Sequence, residues 1–301
     1  MIRLQSRHQA LHQANDFMPV FGHLSQYDLD RAYDQDVWAP NGAAIRARIF
    51  ANSAEIGRRM PPSTRRYGPG DKQFLDIFAP AAARGAPVFV MIHGGAWRLA
   101  MREGYYGAAP AIVAAGCVLV VIGFNCLPAI SMPQMAAQIR QALVWIGREI
   151  GEFGGDGRNL RLIGHSSGAH LAAVMLTTDW SGLGLAPESL RRATLISGMY
   201  ELYPVVLSAR GNYMGLAAEE VSALSPMRHL RDFAGVASVA WGTEESPEFQ
   251  RQSQVFAGAL EGMGRLTRSL VLPAHNHFDT LDALSDAGSP LMQSILADAR
   301  D

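Results

Sequence analysis

The sequence predicts an α/β fold: a mostly parallel central sheet with helices on both faces and an N-terminal cap-like segment. Three observations predict it. Short apolar runs recur at 74–78, 88–92, 118–124, 160–163, 194–196, 238–241 and 269–272, with the length and β-branched content of buried strands. Helical patterns fill the gaps between them, and strands alternating with helices of this length imply a parallel sheet covered on both sides. The third observation is Gly164-His165-Ser166-Ser167-Gly168, which lies between an apolar run and a small-residue helical pattern. A GxSxG in the order strand, sharp turn, helix exposes its serine on a strained elbow.

The elements follow in order. Residues 1–70 are the least regular part, with Asn41-Gly42, Pro61-Pro62 and Pro69-Gly70 as turn signals and Arg58-Arg59 and Arg65-Arg66 as solvated charge. This stretch is expected to be an extension that caps or covers something, and 71–301 to be the catalytic domain. The clearest helix covers 132–153, with Met135, Ile139, Leu143, Ile146 and Ile150 at helical spacing. Others are expected over 167–177, 248–263 and 291–299. Function in such a sheet belongs at the carboxyl ends of the strands.

Composition narrows the class. Hydrophobic residues make up 49% and charged residues 18% of the 301 residues, which suits a large buried core. A net charge of −1 supplies no field for gathering polyanions, so nucleic acid is not an expected partner. Two cysteines, Cys117 and Cys126, suggest no disulfide and a reducing compartment. The first fifteen residues lack a continuous apolar stretch, and every apolar run is strand-sized, so neither signal peptide nor membrane anchor is expected. The expected setting is the cytoplasm, with no membrane partner. The oligomeric state stays open, a homodimer among the options.

Acyl transfer by serine needs an exposed hydroxyl, an imidazole, a carboxylate and oxyanion donors. His93-Gly94-Gly95-Ala96-Trp97 follows directly on the strand at 88–92. Its glycines leave backbone amides unobstructed, so Gly94, Gly95 or Ala96 can aim N–H groups at developing negative charge, with the amide of Ser167 as the other donor. His93 is expected to hold this loop.

The base must come from nine histidines. Chain order in a fold with this elbow runs nucleophile, acid, base, and His277, after the strand at 269–272, fits. His275 lies two residues away and competes. His275, His277 and Asp279 also form an HxHxD string of the kind found in binuclear metal sites, but such sites need further ligands, and no metal or cofactor is expected. His165 and His170 are expected to pack around the elbow. The acid should follow the strand at 238–241, which makes Glu245 the first choice and Glu244 the second, with Glu201 an alternative from the preceding strand end.

Together these residues resemble the α/β-hydrolase superfamily, and within it the arylformamidase (kynurenine formamidase) group and its HGGxW esterase relatives. The resemblance rests on HGGAW at 93–97, GHSSGAHLAA at 164–173, ESPEFQRQS at 245–253 and NHFD at 276–279, and spans roughly residue 74 to the C-terminus. It implies Glu245 as the acid and His277 as the base, although relatives commonly carry Asp at the acid position. It implies an acyl-enzyme mechanism on a small ester or amide: an aryl formamide, or alternatively an aryl ester, anilide or carbamate. A different class, a binding protein on a retired hydrolase fold, is the third alternative. Trp97, Met199, Tyr200 and Phe278 are candidates to line the acyl pocket, although core packing explains such residues equally well.

Overall fold

The computed structural model describes residues 18–299. Its frame is an eight-stranded sheet of β1 (Ser63–Arg66), β2 (Phe74–Phe78), β3 (Ala86–Ile92), β4 (Val118–Ile122), β5 (Gly155–His165), β6 (Leu190–Ile196), β7 (Val236–Gly242) and β8 (Leu266–Leu272). The spatial order is β8-β7-β6-β5-β3-β4-β2-β1. Strands β3 to β8 run parallel, while β2 pairs antiparallel with both β4 and β1.

Strands β3 and β4 are apolar at every position because both faces are covered. Val88, Val90, Ile92, Val118, Val120 and Ile122 enter one core layer. Their alternating neighbours Phe89, Met91, Leu119 and Val121 enter the other. The first layer is closed by α3 (Met132–Glu149), which buries Met135, Ile139, Leu143 and Ile146, and by α4 (Ser167–Leu176). Every residue of α4 is buried, which is why its sequence has no polar stripe. The second layer is closed by Ile45, Ile49 and Ile56 of α2 (Gly42–Arg59) and by Leu291, Met292 and Ile295 of α6 (Pro290–Asp298).

Several boundaries depart from the sequence expectation. β1 reads Ser-Thr-Arg-Arg and is exposed at all four positions, so it carries no apolar signal; it is a charged edge strand of the kind that discourages further pairing. β5 reaches back to Gly155 through a polar stretch. The helix expected over 132–153 starts at a Ser131/Gln134 capping box but ends at Glu149, and a 3₁₀ turn over Ile150–Phe153 closes on Gly154 at φ 78°.

The larger departure concerns 1–70. Within it lie α1 (Gln26–Tyr33) and the 18-residue α2. The buried positions of α2, Ile45, Ile49, Ser53 and Ile56, do recur at helical spacing, but interspersed Ala and Arg residues blur the stripe. The stretch 1–15, expected to hold no leader, lies outside the described residues. Among the described residues no helix is long and apolar enough to cross a membrane.

The end of α1 is tied to α5 (Pro247–Gly262). The Tyr33 hydroxyl donates to Glu248 Oε1 at 2.9 Å and accepts from Gln252 Nε2 at 3.0 Å. The Ser246 hydroxyl donates to the Ala32 carbonyl at 2.6 Å, and the Tyr33 ring meets Phe249 edge-on at 5.9 Å. Tyr33→Phe keeps the ring and removes the hydroxyl from this buried pair of partners. It should cost about 1–3 kcal/mol in urea denaturation at pH 7; an unchanged midpoint would show that the anchor contributes nothing.

Candidate active site

Ser166 sits between the end of β5 and the start of α4 with φ 56° and ψ −124°, a conformation that side chains other than glycine's adopt only when their surroundings impose it. The surroundings are close. A Cβ on Gly164 would lie 2.4 Å from the Gly168 carbonyl oxygen, and one on Gly168 would lie 2.1 Å from that of Ile92. Both glycines of the motif are therefore required by contact between β5, α4 and the end of β3. The Ser166 amide is fixed to the Ile196 carbonyl at 2.8 Å.

The residues expected to act on the serine hydroxyl surround it. Ser166 Oγ lies 2.9 Å from His277 Nε2, and His277 Nδ1 lies 3.1 Å from Glu245 Oε2. Glu245 Oε1 accepts from the Ser197 hydroxyl at 2.5 Å and from the Gly242 amide at 2.8 Å. Nδ1–H must then face the carboxylate, which leaves Nε2 as the acceptor for the serine proton. All three side chains are at least 95% buried.

The rivals lie elsewhere. Glu244 is exposed. Glu201 is engaged by Arg228 at 2.7 Å and by the Ser225 hydroxyl. His275 is turned onto the carbonyl of Pro273 at 2.7 Å. Among the described residues no three His, Cys, Asp or Glu side chains converge as a metal site.

The HGGAW loop lies against the elbow. His93 stacks on Phe124 at 4.1 Å, and its Nδ1–H donates to the Gly94 carbonyl at 2.7 Å. Gly95 has φ 112°, and a Cβ there would strike the Leu99 carbonyl at 2.7 Å. Gly94 is the exception among the expected oxyanion donors, because its amide already donates to the Tyr105 hydroxyl at 2.9 Å. The amides of Gly95 and Ala96 carry no hydrogen bond to another described residue. That of Ser167, first in its helix, has no intrahelical acceptor. The Ser167 hydroxyl instead accepts from the Trp97 amide at 3.3 Å, tying loop to elbow.

Neutral histidines surround this core. The Tyr105 hydroxyl donates to His165 Nδ1 at 3.3 Å, and His165 Nε2–H donates to the His277 carbonyl at 3.0 Å. Trp97 Nε1–H donates to His170 Nδ1 at 3.2 Å, and His170 Nε2–H to the Leu224 carbonyl at 2.7 Å. Each imidazole thus serves as donor and acceptor at once, a role the charged form cannot fill. Burial lowers the pKa of His165 to about 3 and of His93 and His170 to about 4.

Ser166 and His277 open into a cavity of about 320 Å³. Ile49, Phe50, Leu99, Met101 and Phe278 give it apolar wall; Asp34, Asp36, Arg46 and Arg210 give it charge. Of the four residues expected to line a pocket, only Phe278 does. Trp97, Met199 and Tyr200 are 0–1% exposed and belong to the core. The Trp97 indole is held by His170, and Tyr200 stacks on Phe256 at 4.0 Å; large apolar side chains beside the catalytic segments fill the layer beneath them. The sequence reading also missed Tyr33, Tyr105, Arg210 and the segment 34–50 as cavity residues, since only the fold brings them there.

The BD-FAE family model matches residues 75–183. A kynurenine formamidase of Salmo salar is 34% identical over 91% of this chain and 96% of its own length. The chain belongs to the kynurenine formamidase family of α/β-hydrolases. The kynurenine formamidase of Danio rerio is 28% identical over the same shares. Esterase LipQ of Mycobacterium tuberculosis is 28% identical over 81% of this chain and 65% of its own. A solved structure from Silicibacter sp. TM1040 superposes with TM-score 0.77 at 24% identity, covering 88% of this chain and 98% of that one, and so shares the fold. The protein is an α/β-hydrolase enzyme.

The buried histidines make a pH prediction. Their folded pKa values lie below the ordinary value of about 6.5, so the unfolded chain takes up protons first as pH falls. Stability is full above pH 6.5 and is lost on going down towards the folded values. Each histidine should contribute a slope of about 1.4 kcal/mol per pH unit in that window. Guanidinium unfolding at pH 7.5, 6.5 and 5.5 should show stability falling at the lowest pH; a flat series would mean these imidazoles are not held neutral.

Proposed function

We propose that this hydrolase cleaves an aryl formamide of the N-formylkynurenine type through a formyl-enzyme intermediate. The observation that carries the proposal is the continuous chain Ser166 Oγ, His277, Glu245 at 2.9 and 3.1 Å at the wall of the cavity. His277 takes the Ser166 proton as Oγ attacks the formyl carbon, and Glu245 stabilises the imidazolium. The amides of Ala96, Ser167 and Gly95 receive the oxyanion. The aniline leaves only once protonated, so His277 returns its proton to nitrogen, and water then deformylates Ser166. We further propose that residues 18–70 act as a cap on the catalytic body, and that the protein works in a reducing compartment such as the cytoplasm, where Cys117 and Cys126 stay free as they are here.

A carboxylesterase is the second reading, favoured by the similarity to esterase LipQ and by the apolar part of the cavity wall. The two separate by rate. kcat/KM on N-formylkynurenine should exceed that on a nitrophenyl ester of short chain and on an aryl carbamate; the reverse order would favour the esterase. Ser166→Ala should abolish turnover of every substrate with the fold intact, and full activity in that variant would sink the assignment. Glu245→Gln keeps the shape but not the charge, and should lower kcat by about 10³ to 10⁴; a loss below tenfold would move the acid elsewhere.

A further inference from the structure

The cavity wall away from the serine holds polar groups that the acyl-transfer chemistry does not use. Arg210 donates through Nε and Nη2 to the Tyr33 carbonyl, at 2.9 and 2.6 Å. Its Nη1 is buried and makes no hydrogen bond of full geometry, while the Tyr213 hydroxyl interacts with the guanidinium both through its charge and as a side-chain hydrogen-bond neighbour. Gln35 is 5% exposed; its Nε2 donates to the Ala32 carbonyl at 3.3 Å and its Oε1 is buried without a partner. Asp36 is paired with Arg46 at 2.6 Å. Asp34 accepts only the Asp36 amide at 3.2 Å, which leaves it the cavity carboxylate without a cation among the described residues.

A buried donor and a buried acceptor left unmade are costly unless something completes them. Arg210, Gln35 and Asp34, the residues that carry these groups, line the same cavity as Ser166. The four charged side chains there are two acids and two arginines, so the wall suits a dipolar ion rather than an anion or a cation. We infer that this wall seats the α-amino-acid head of the substrate, its carboxylate on Arg210 and its ammonium on Asp34 and Gln35 Oε1. Apolar side chains hold the aryl ketone, and fixing the head orients the formamide at Ser166. The inference rests on the formamidase reading for its substrate class, and its test uses binding, so that the two stand or fall separately.

The test is calorimetric titration of the wild-type chain with kynurenine and with 2-aminoacetophenone, which keeps the aryl ketone and lacks the amino-acid head. Kynurenine should bind about 10- to 100-fold more tightly. Asp34→Asn preserves a residue able to cap the following helical turn, and Gln35→Met preserves volume. Each should narrow the kynurenine advantage about tenfold, with thermal melting to verify the fold. Equal affinity of the two ligands for wild type, or an advantage unmoved by both variants, overturns the seat, whatever the protein does to N-formylkynurenine. A clear advantage in a protein that fails to cleave N-formylkynurenine supports the seat and overturns the formamidase reading.

Discussion

The close approach of Gly168 to the last residues of β3 is the contact on which the site depends. With 2.1 Å between a notional Cβ and the Ile92 carbonyl oxygen, only glycine lets α4 start where it does. That position does three things at once. It drives Ser166 into its strained conformation, it brings the first amide of α4 beside the HGGAW loop that β3 leads into, and it lets the Ser167 hydroxyl fix that loop through the Trp97 amide. The proposed nucleophile and the proposed oxyanion donors are thus placed by one packing constraint. Interior packing does not deform gradually, so the relation between them is rigid before substrate arrives.

A second constraint is that the charged part of the machinery is fully partnered. Glu245 is buried, and its carboxylate is balanced by the imidazole, a hydroxyl and an amide. The relay from the Gly94 amide through Tyr105 and His165 to the His277 carbonyl connects the oxyanion loop to the backbone of the base. Because His165 stays neutral, it adds no positive charge next to an imidazole that must itself gain one. The Thr280 hydroxyl also donates to the His277 carbonyl, at 2.9 Å, so the base is held from its backbone as well as from Nδ1.

Much of this was legible in the sequence because it is local. The elbow, the glycine loop and the late-strand histidine are each a few adjacent residues whose chemistry constrains their neighbours, and six of the seven expected strands are mainly apolar runs that pair in parallel. Position ranked Glu245 ahead of Glu244 and Glu201 and resemblance sharpened the choice; burial and hydrogen bonding now give the physical distinction. The substrate cavity was not legible. Trp97, Met199 and Tyr200 look like lining because they are large and lie beside the motif segments, yet they are buried in the core. Most of the rest of the lining comes from residues 33–50, 99–105 and 210, which meet only after the chain folds. The edge strand β1 escaped notice for a related reason: its side chains face water and leave no periodic apolar trace.

The central claim is that Ser166 is a nucleophile activated by His277. Labelling with a fluorophosphonate, followed by peptide mapping, tests it most directly. The account predicts a single adduct on the Ser166 peptide, formed rapidly by the wild type and at least a hundredfold more slowly by His277→Ala. An adduct on another serine, or equal rates in the two proteins, would contradict it.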